Sequence, residues 1–416
     1  MFSLIKAYWI KIRTWGLSGV LNHLRSLAER RRIRVYLLRD AKRHPYPQLE
    51  RGITLIGKFT QAASHGKVVR DFAFALKAAG IPYQTLNTDD KPNIPMSDVS
   101  DILTPPEEFH IKRFNHVVEI LPSIVPSSLH LPLFRIAFWE FESGFLHAYP
   151  DMPLSRNVIA MSDFNADYFK TELPPTTTVT KILYPFHAYS GDLEDPVSIR
   201  SRYGIAANEF VVFFNFDFGS SYYRKNPEGA MRAFADAFRD VPNTRLVFKT
   251  MRAKTRPDLL MQIEALAAEL GISDRLTMIH NYVPERDLFG LTNACDVYLS
   301  LHRGEGFGIT LAEAMAMGKP VVCTNWSSTT EFCKPNCTIP ISYRMVPVPP
   351  NQIDHPYYQQ VKEWAEPDID AAAAALRRLY DNSTLRKEIG KRARESISYQ
   401  FSVENLRQSI RSFTEK

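Results

Sequence analysis

The stretch HRGEGFGITLAEAMAMGKPVV, residues 302–322, sets two glutamates, Glu305 and Glu313, on either side of a glycine-bearing turn that runs into an apolar helix. Gly306 and Gly308 permit close backbone approach. The amides of Ile309 and Thr310 would then point out of the helix N-terminus, where an anion such as phosphate is stabilised. A carboxylate beside a phosphate repels it but accepts hydrogen bonds from sugar hydroxyls. The chemistry suggested is a phosphorylated sugar, with the helix start holding phosphate and the glutamates holding hydroxyls. Glu313 also has a purely structural reading, because Thr310-x-x-Glu313 matches a capping box. Glu305 precedes the helix and has no such role.

Arg224 and Lys225, just before the helical stretch NPEGAMRAFADAF, form a second group. Cations at a helix start oppose its dipole unless an anion is present, so they read either as an anion site or as surface charges. His65 and Gly66 close a small-residue loop, TQAASHG, and His65 alone reads as an exposed loop residue or a ligand-facing group. Trp139 and Glu140 belong to the aromatic run FRIAFWEF, whose plain reading is a buried cluster. His116 opens the apolar run HVVEIL and reads as structural or as a proton acceptor. Cys295, Cys323, Cys333 and Cys337 lack the partners of a closed zinc site and read as reduced structural thiols. No metal-ligand set is found, and no Asp-x-Asp metal signature stands in a suitable loop.

The elements that would position these residues alternate in type. From residue 52, GITLIGKF is a short β-rich run, and the following helical stretch repeats Val69, Phe72, Leu76 and Ala79 as a buried stripe ended by Gly80. Apolar runs follow at HVVEILP, FRIAFWEF and NVIAMS. After a polar linker at 186–204 a second series begins with FVVFFNFDF, RLVFKT, LTMIHNY, DVYLSLH and PVVCTN, with helices between. Such alternation predicts mainly parallel sheets covered by helices. At 416 residues the chain exceeds a single core of about 250–300 residues, so two α/β domains joined near residue 200 are expected.

The formal charge of +6 is unevenly placed: residues 1–43 hold eleven Lys or Arg against two acids, +9, leaving the rest at −3. This segment places Ile5, Tyr8, Ile12 and Trp15, then Leu17, Leu21, Leu24 and Ala28, at helical spacing beside Phe2 and Trp9. No apolar run reaches the roughly 18–20 residues that span a bilayer. An amphipathic helix lying on an anionic membrane face is expected, with a helix packed on its own domain as the plain alternative. Nucleic acid is not an expected partner, because the excess charge is confined to one end.

EGFGITLAE resembles the E-x7-E motif of the retaining glycosyltransferases of family 4, the group 1 class, and AMAMGKPVVCTNWSSTTEF resembles its usual continuation. The resemblance implies an α/β GT-B fold, two Rossmann-like domains facing across a cleft, here with an N-terminal amphipathic helix. Residues 1–50 are then a basic segment, 51–200 an acceptor-binding domain, 201–383 a nucleotide-sugar-binding domain, and 384–416 a helix returning to the first domain. The implied activity is retaining transfer of a sugar from a nucleotide diphosphate sugar to a hydroxyl of a glycan or lipid-linked glycan. It would serve bacterial surface polysaccharide synthesis, with no cofactor and no metal, on the cytoplasmic face of the plasma membrane.

In FNFDFGSSYYRKNPEGAMRAFADAF, Lys225 matches the family lysine that stabilises the leaving diphosphate. The family's arginine, expected nearer the strand, is missing: Asp217 and Ser220 occupy that neighbourhood, and Arg224 is the candidate substitute. The resemblance further implies that Glu305 and the backbone of Phe307 and Gly308 orient the donor sugar. It assigns the Ile309 and Thr310 amides to the distal phosphate, Glu313 to ribose and Tyr282 to the base. On the acceptor side it implies His65 and Gly66 and, from members with a Trp-Glu pair near the cleft, Trp139 and Glu140. The general base is the donor phosphate itself or His116. The alternative is an inactive nucleotide-sugar-binding or scaffold protein of the same fold, for which the missing arginine is the support. A glycan phosphorylase is disfavoured, since no pyridoxal phosphate lysine context is present.

Overall fold

The computed structural model describes residues 24–414 except 26, 46–47, 63, 90–93 and 121–123. The apolar positions from Phe2 to Leu21 lie outside the described residues. A helix over residues 27–43 comes first, followed by two six-stranded sheets in which every strand pair is parallel.

The first sheet contains β1 (Glu50–Gly57), β2 (Tyr83–Asn87), β3 (Phe114–Ile120), β4 (Leu133–Ile136), β5 (Asn157–Ala160) and β6 (Thr178–Lys181), in the order β2-β1-β3-β4-β5-β6. The second contains β7 (Phe210–Asp217), β8 (Thr244–Met251), β9 (Leu276–Ile279), β10 (Val297–Ser300), β11 (Val321–Thr324) and β12 (Ile339–Ile341), in the order β12-β11-β10-β7-β8-β9. Such strands are buried on both faces, which is why FVVFFNFD and VYLS read as continuous apolar runs rather than alternating ones.

Chain order reverses between β1 and β3 in the first sheet and between β7 and β10 in the second. Loops leaving the carboxyl ends of strands at such a reversal part in opposite directions and open a crevice. The helix that follows β1 opens with His65 and Gly66, which the sequence pattern places in a loop; the segment after β7 carries Arg224 and Lys225, and the loop after β10 carries Glu305. Topology therefore gathers residues that are far apart in the chain.

The stripe Val69, Phe72, Leu76 and Ala79 is buried on the helix Ser64–Ala79, and Gly80 ends that helix at φ 66°. The helix Pro227–Ala237 starts on Asn226, whose side chain accepts from the Gly229 amide, with Pro227 at the first position, where its missing N–H costs nothing. The expected linker is partly structured: Asp195 caps a helix, Pro196–Arg202, again with proline first. FRIAFWEF is strand only as far as Ile136.

After β12 the chain adds an antiparallel hairpin, β13 (Tyr343–Pro347) and β14 (Glu363–Pro367). The helices Ile369–Asp381, Ser383–Gln400 and Val403–Thr414 follow. The last lies against Ser64–Ala79 of the first domain, where Ser409 accepts the Leu183 amide at 2.8 Å and Phe413 packs on Phe134 at 4.8 Å. No described helix is long and apolar enough to cross a membrane.

Candidate active site

Lys225 ends the short helix Tyr222–Lys225, and its ammonium is paired with the Glu305 carboxylate. Glu305 is held from behind, its amide donating to Ser327 Oγ at 2.8 Å. Burial alone would raise the pKa of this carboxyl, but Lys225, Arg224 and His302 outweigh it and bring it down to about 2. Glu305 is therefore an anion at neutral pH. Lys225 is shifted downward, burial first, with Arg224 adding to the effect and Glu305 opposing it.

Arg224 is not a surface charge. Only 2% exposed, it donates to Gly304 O at 2.7 Å and to Ser220 O and Oγ at 2.8 and 2.7 Å. Its guanidinium reaches Glu305 at 3.5 Å and Glu140 at 3.8 Å. Three of its contacts, to Gly304, Glu305 and Glu140, thus tie the segment after β7 to the loop after β10 and to the first domain. Glu140 is raised in pKa by burial and by Glu305, with Arg224 opposing. A Cβ at Gly306 would sit 3.7 Å from Glu140 Oε1, so the Glu140 carboxylate faces the turn directly.

Glu313 corrects the capping-box expectation. The N-cap of the helix Ile309–Ala316 is Gly308, at φ 92° and without a side-chain cap bond, so Thr310 is already inside the helix. A Cβ at Gly308 would lie 2.6 Å from Thr329 Cγ2, so both its φ and its surroundings demand glycine. The Ile309 and Thr310 amides open the helix with no capping side chain over them. Glu313 instead points across the cleft to Lys67 at 3.8 Å, and Lys67 also bonds Asp71 at 2.9 Å. Burial, with help from Asp71 and Glu285 and against Lys67, raises the Glu313 pKa to about 7.

Phe307 turns its ring inward onto Tyr184, centroids 4.1 Å apart, leaving its backbone beside the turn. Gly66 is buried, and a Cβ there would overlap the Gln61 carbonyl and lie 2.9 Å from Lys58 O. His65 stays accessible at the mouth of the helix Ser64–Ala79, and desolvation, then Lys58 and Arg252, favour its neutral form.

Three residues fall outside the cluster. Trp139 is 1% exposed and packs edge-on against Phe141, Phe145 and Tyr358, so it is core and does not line the cleft. His116 lies near the start of β3, away from the carboxyl ends, between Phe134 and Phe413 at 5.3 and 5.4 Å; burial keeps it neutral, and it is not placed to act as a base. Tyr282 is 60% exposed in the loop after β9 and takes no part in the bonds around Glu305.

Four residues emerge only from the structure. Asp354, between the hairpin strands, accepts from Ser221 Oγ at 2.5 Å and the Tyr222 amide at 2.7 Å, bracing the Arg224 turn. Tyr358 lies under the Arg224 guanidinium at 5.9 Å and bonds Glu140. His355 is lowered to about 4 by burial, Arg224 and Arg252. Arg252, at φ 58° just past β8, is fixed by the Asp217 carboxylate, Nε–Oδ1 2.8 Å, and lies over Gly219 so closely that a Cβ there would be 2.7 Å from its Nη1. No local motif marks any of these four. They come from the proline-rich segment between β13 and β14 and from a lone arginine after a strand.

Two parallel six-stranded sheets, each with a strand-order reversal, and a cleft lined by Arg224, Lys225, Glu305 and Glu313 make this an α/β protein of the GT-B fold. Comparison with known proteins agrees. Residues 199–342, most of the second domain, match the family described as glycosyl transferases group 1. It is 33% identical over 136 residues to the D-inositol 3-phosphate glycosyltransferase of Nocardia farcinica, covering 32% of this chain and 29% of that one. It is 27% identical over 165 residues to the lipopolysaccharide glucosyltransferase WaaG of Escherichia coli, covering 39% and 41%. The chain thus spans less than half of each relative's length. In structure it resembles Anabaena HepE, solved with UDP and glucose, with a TM-score of 0.61 and 14% identity over 88% of this chain and 100% of that one.

Proposed function

We propose that the chain is a retaining glycosyltransferase that moves a sugar from a nucleoside diphosphate sugar to a hydroxyl of a glycan or lipid-linked glycan. The observation that carries this reading is the Lys225–Glu305 pair at the β7/β10 reversal, in the turn that leads directly into the helix Ile309–Ala316, whose first amides no side chain caps. The naming of WaaG as a glucosyltransferase and the UDP and glucose held by HepE support a nucleotide-sugar donor.

In this reading the bond from the anomeric carbon to the β-phosphate oxygen breaks, and its electron pair leaves on that oxygen. Lys225, Arg252 and the two amides stabilise the developing charge, an arrangement that needs no reorganisation during the step. Glu305 accepts donor sugar hydroxyls, and Glu313, pointing into the cleft, is an acceptor for ribose hydroxyls. The acceptor oxygen bonds the anomeric carbon on the face the phosphate leaves, and its proton passes to the departing phosphate. Glu140 and His65 hold the acceptor. Arg224 positions Glu305 rather than touching substrate.

Arg252 bears on the scaffold alternative, whose support was a missing arginine. A guanidinium occupies the space above Gly219 although it comes from a different strand. The helix over residues 27–43 favours a lipid-linked acceptor: Leu27, Val35 and Leu38 are exposed along one side among Arg31, Arg32 and Arg39. Exposed leucines between arginines suit an anionic bilayer surface. Release of nucleoside diphosphate from a panel of nucleotide sugars, with and without lipid-linked glycan, tests the reading. A chain that binds donor but never turns it over would make the scaffold reading the right one.

A further inference from the structure

Asp40, His44 and His110 converge where the helix over residues 27–43 meets the loop ahead of β3, at the opposite end of the first sheet from the helix start that carries His65. One ligand atom from each lies within 4.8 Å of the others. Asp40 Oδ1 is 3.5 Å from His110 Nδ1 and 3.9 Å from His44 Nε2, and the two imidazoles are 3.9 Å apart between centroids. Ligand atoms about 2.0–2.2 Å from a tetrahedral zinc ion stand at separations of this size, and two histidines with one carboxylate are a zinc-type set.

We propose that these three residues bind a zinc-class transition-metal ion that clasps the N-terminal helix to the first domain. The set is held in place before any ion arrives. Asp40 is 7% exposed and spends Oδ2 on the Ile111 amide at 2.7 Å, leaving Oδ1 toward the histidines. The His110 backbone is gripped on both sides by buried Gln84, which donates to its carbonyl at 2.6 Å and accepts its amide at 3.2 Å. The Ile111 bond to Asp40 is of the kind that orients a ligating carboxylate, and the Gln84 bonds fix the backbone from which His110 extends. Leu37 and Ala41, buried on the same helix, hold Asp40 and His44 at the loop.

The surroundings select the ion. The set opens on a cavity of about 890 Å³ that is also lined by Arg39 and Arg43. Those arginines oppose a weakly held hard cation and favour an anionic fourth ligand, so imidazole-preferring zinc is expected over magnesium or calcium. Sequence spacing concealed the set, because Asp40 and His44 are one helical turn apart while His110 follows much later.

The test uses the full chain stripped with a chelator. Zinc is titrated against a chromophoric competitor, cobalt is followed by its visible absorption, and thermal unfolding is recorded with and without zinc. The wild type is expected to bind one equivalent, give the intense tetrahedral cobalt bands and rise in Tm with zinc. Loss of even an outer partner of a metal ligand weakens binding by roughly 10–100-fold, so His44→Ala and His110→Ala should lose at least that and the Tm response. His44 is only half-buried, so His44→Ala keeps the fold and the test stands if His110→Ala does not. Absence of zinc binding by the wild type, or equal binding by His44→Ala, overturns the proposal.

Discussion

Glu305 keeps its charge inside the protein because Lys225 and Arg224 overcome the effect of burial. Its pKa is depressed, so its contribution to stability is present above the ordinary 4.5 and is lost as pH falls through about 2. Removing one partner of such a pair leaves a buried charge, whereas replacing both removes the penalty. Lys225→Met should therefore lower stability by about 1–3 kcal/mol, and Lys225→Met with Glu305→Gln should recover most of it, while both lose turnover by about 10²–10³-fold. Chemical denaturation beside donor-release assays reads both; recovery of turnover in the double variant contradicts the assignment. Arg252 is different. Its pair with Asp217 is 51% exposed on the arginine side, and such pairs contribute about 0–1 kcal/mol. Arg252→Ala should leave Tm nearly unchanged and lower turnover about 10²-fold; unchanged turnover would mean that it only packs on Gly219.

At the scale of elements, glycine and strand position decide what the sequence reveals. Gly308→Ala forces a side chain into positive φ and against Thr329, at an expected cost of about 1–3 kcal/mol in thermal or urea unfolding. A neutral substitution would mean that the turn relaxes freely. The stripe on Ser64–Ala79 and the apolar runs of the central strands were legible because burial on one helix face, or on both sheet faces, writes itself into the pattern. β2, β6 and β12 were not, and all three are sheet edges with polar or interrupted sequences such as TVTK. The capping box misled for a local reason: Thr310-x-x-Glu313 has the right spacing, but the helix begins at Gly308 in the left-handed region, which a spacing rule does not see. Arg224 was ambiguous in sequence because its burial depends on Gly304, Asp354 and Tyr358, none of them near it in the chain. Trp139 and His116 are the converse, polar-capable residues absorbed into aromatic packing.

At the scale of the molecule, the two domains meet through Glu313 and Lys67, and this contact titrates near neutrality. Glu313 has a folded-state pKa raised to about 7 from the ordinary 4.5, so its contribution is full below about 4.5 and lost as pH rises through 7. Glu313→Gln should flatten stability across that window in thermal unfolding; an unchanged slope would exclude Glu313 as its source. On the opposite end of the first domain, Leu27→Ser with Val35→Ser and Leu38→Ser should abolish flotation with anionic vesicles while donor turnover in solution persists. Equal flotation would reject the membrane-facing reading of that helix. The claim on which the rest depends is that the cleft binds and cleaves a nucleoside diphosphate sugar through Lys225 and Glu305. The most direct measurement is release of nucleoside diphosphate from a nucleotide-sugar panel by the wild type, Lys225→Ala and Glu305→Ala, with calorimetric donor binding in parallel. The account predicts turnover of at least one donor by the wild type and about 10²-fold less in either variant, with wild-type donor binding detectable. Turnover equal in all three, or no binding of any nucleoside diphosphate sugar, would contradict it.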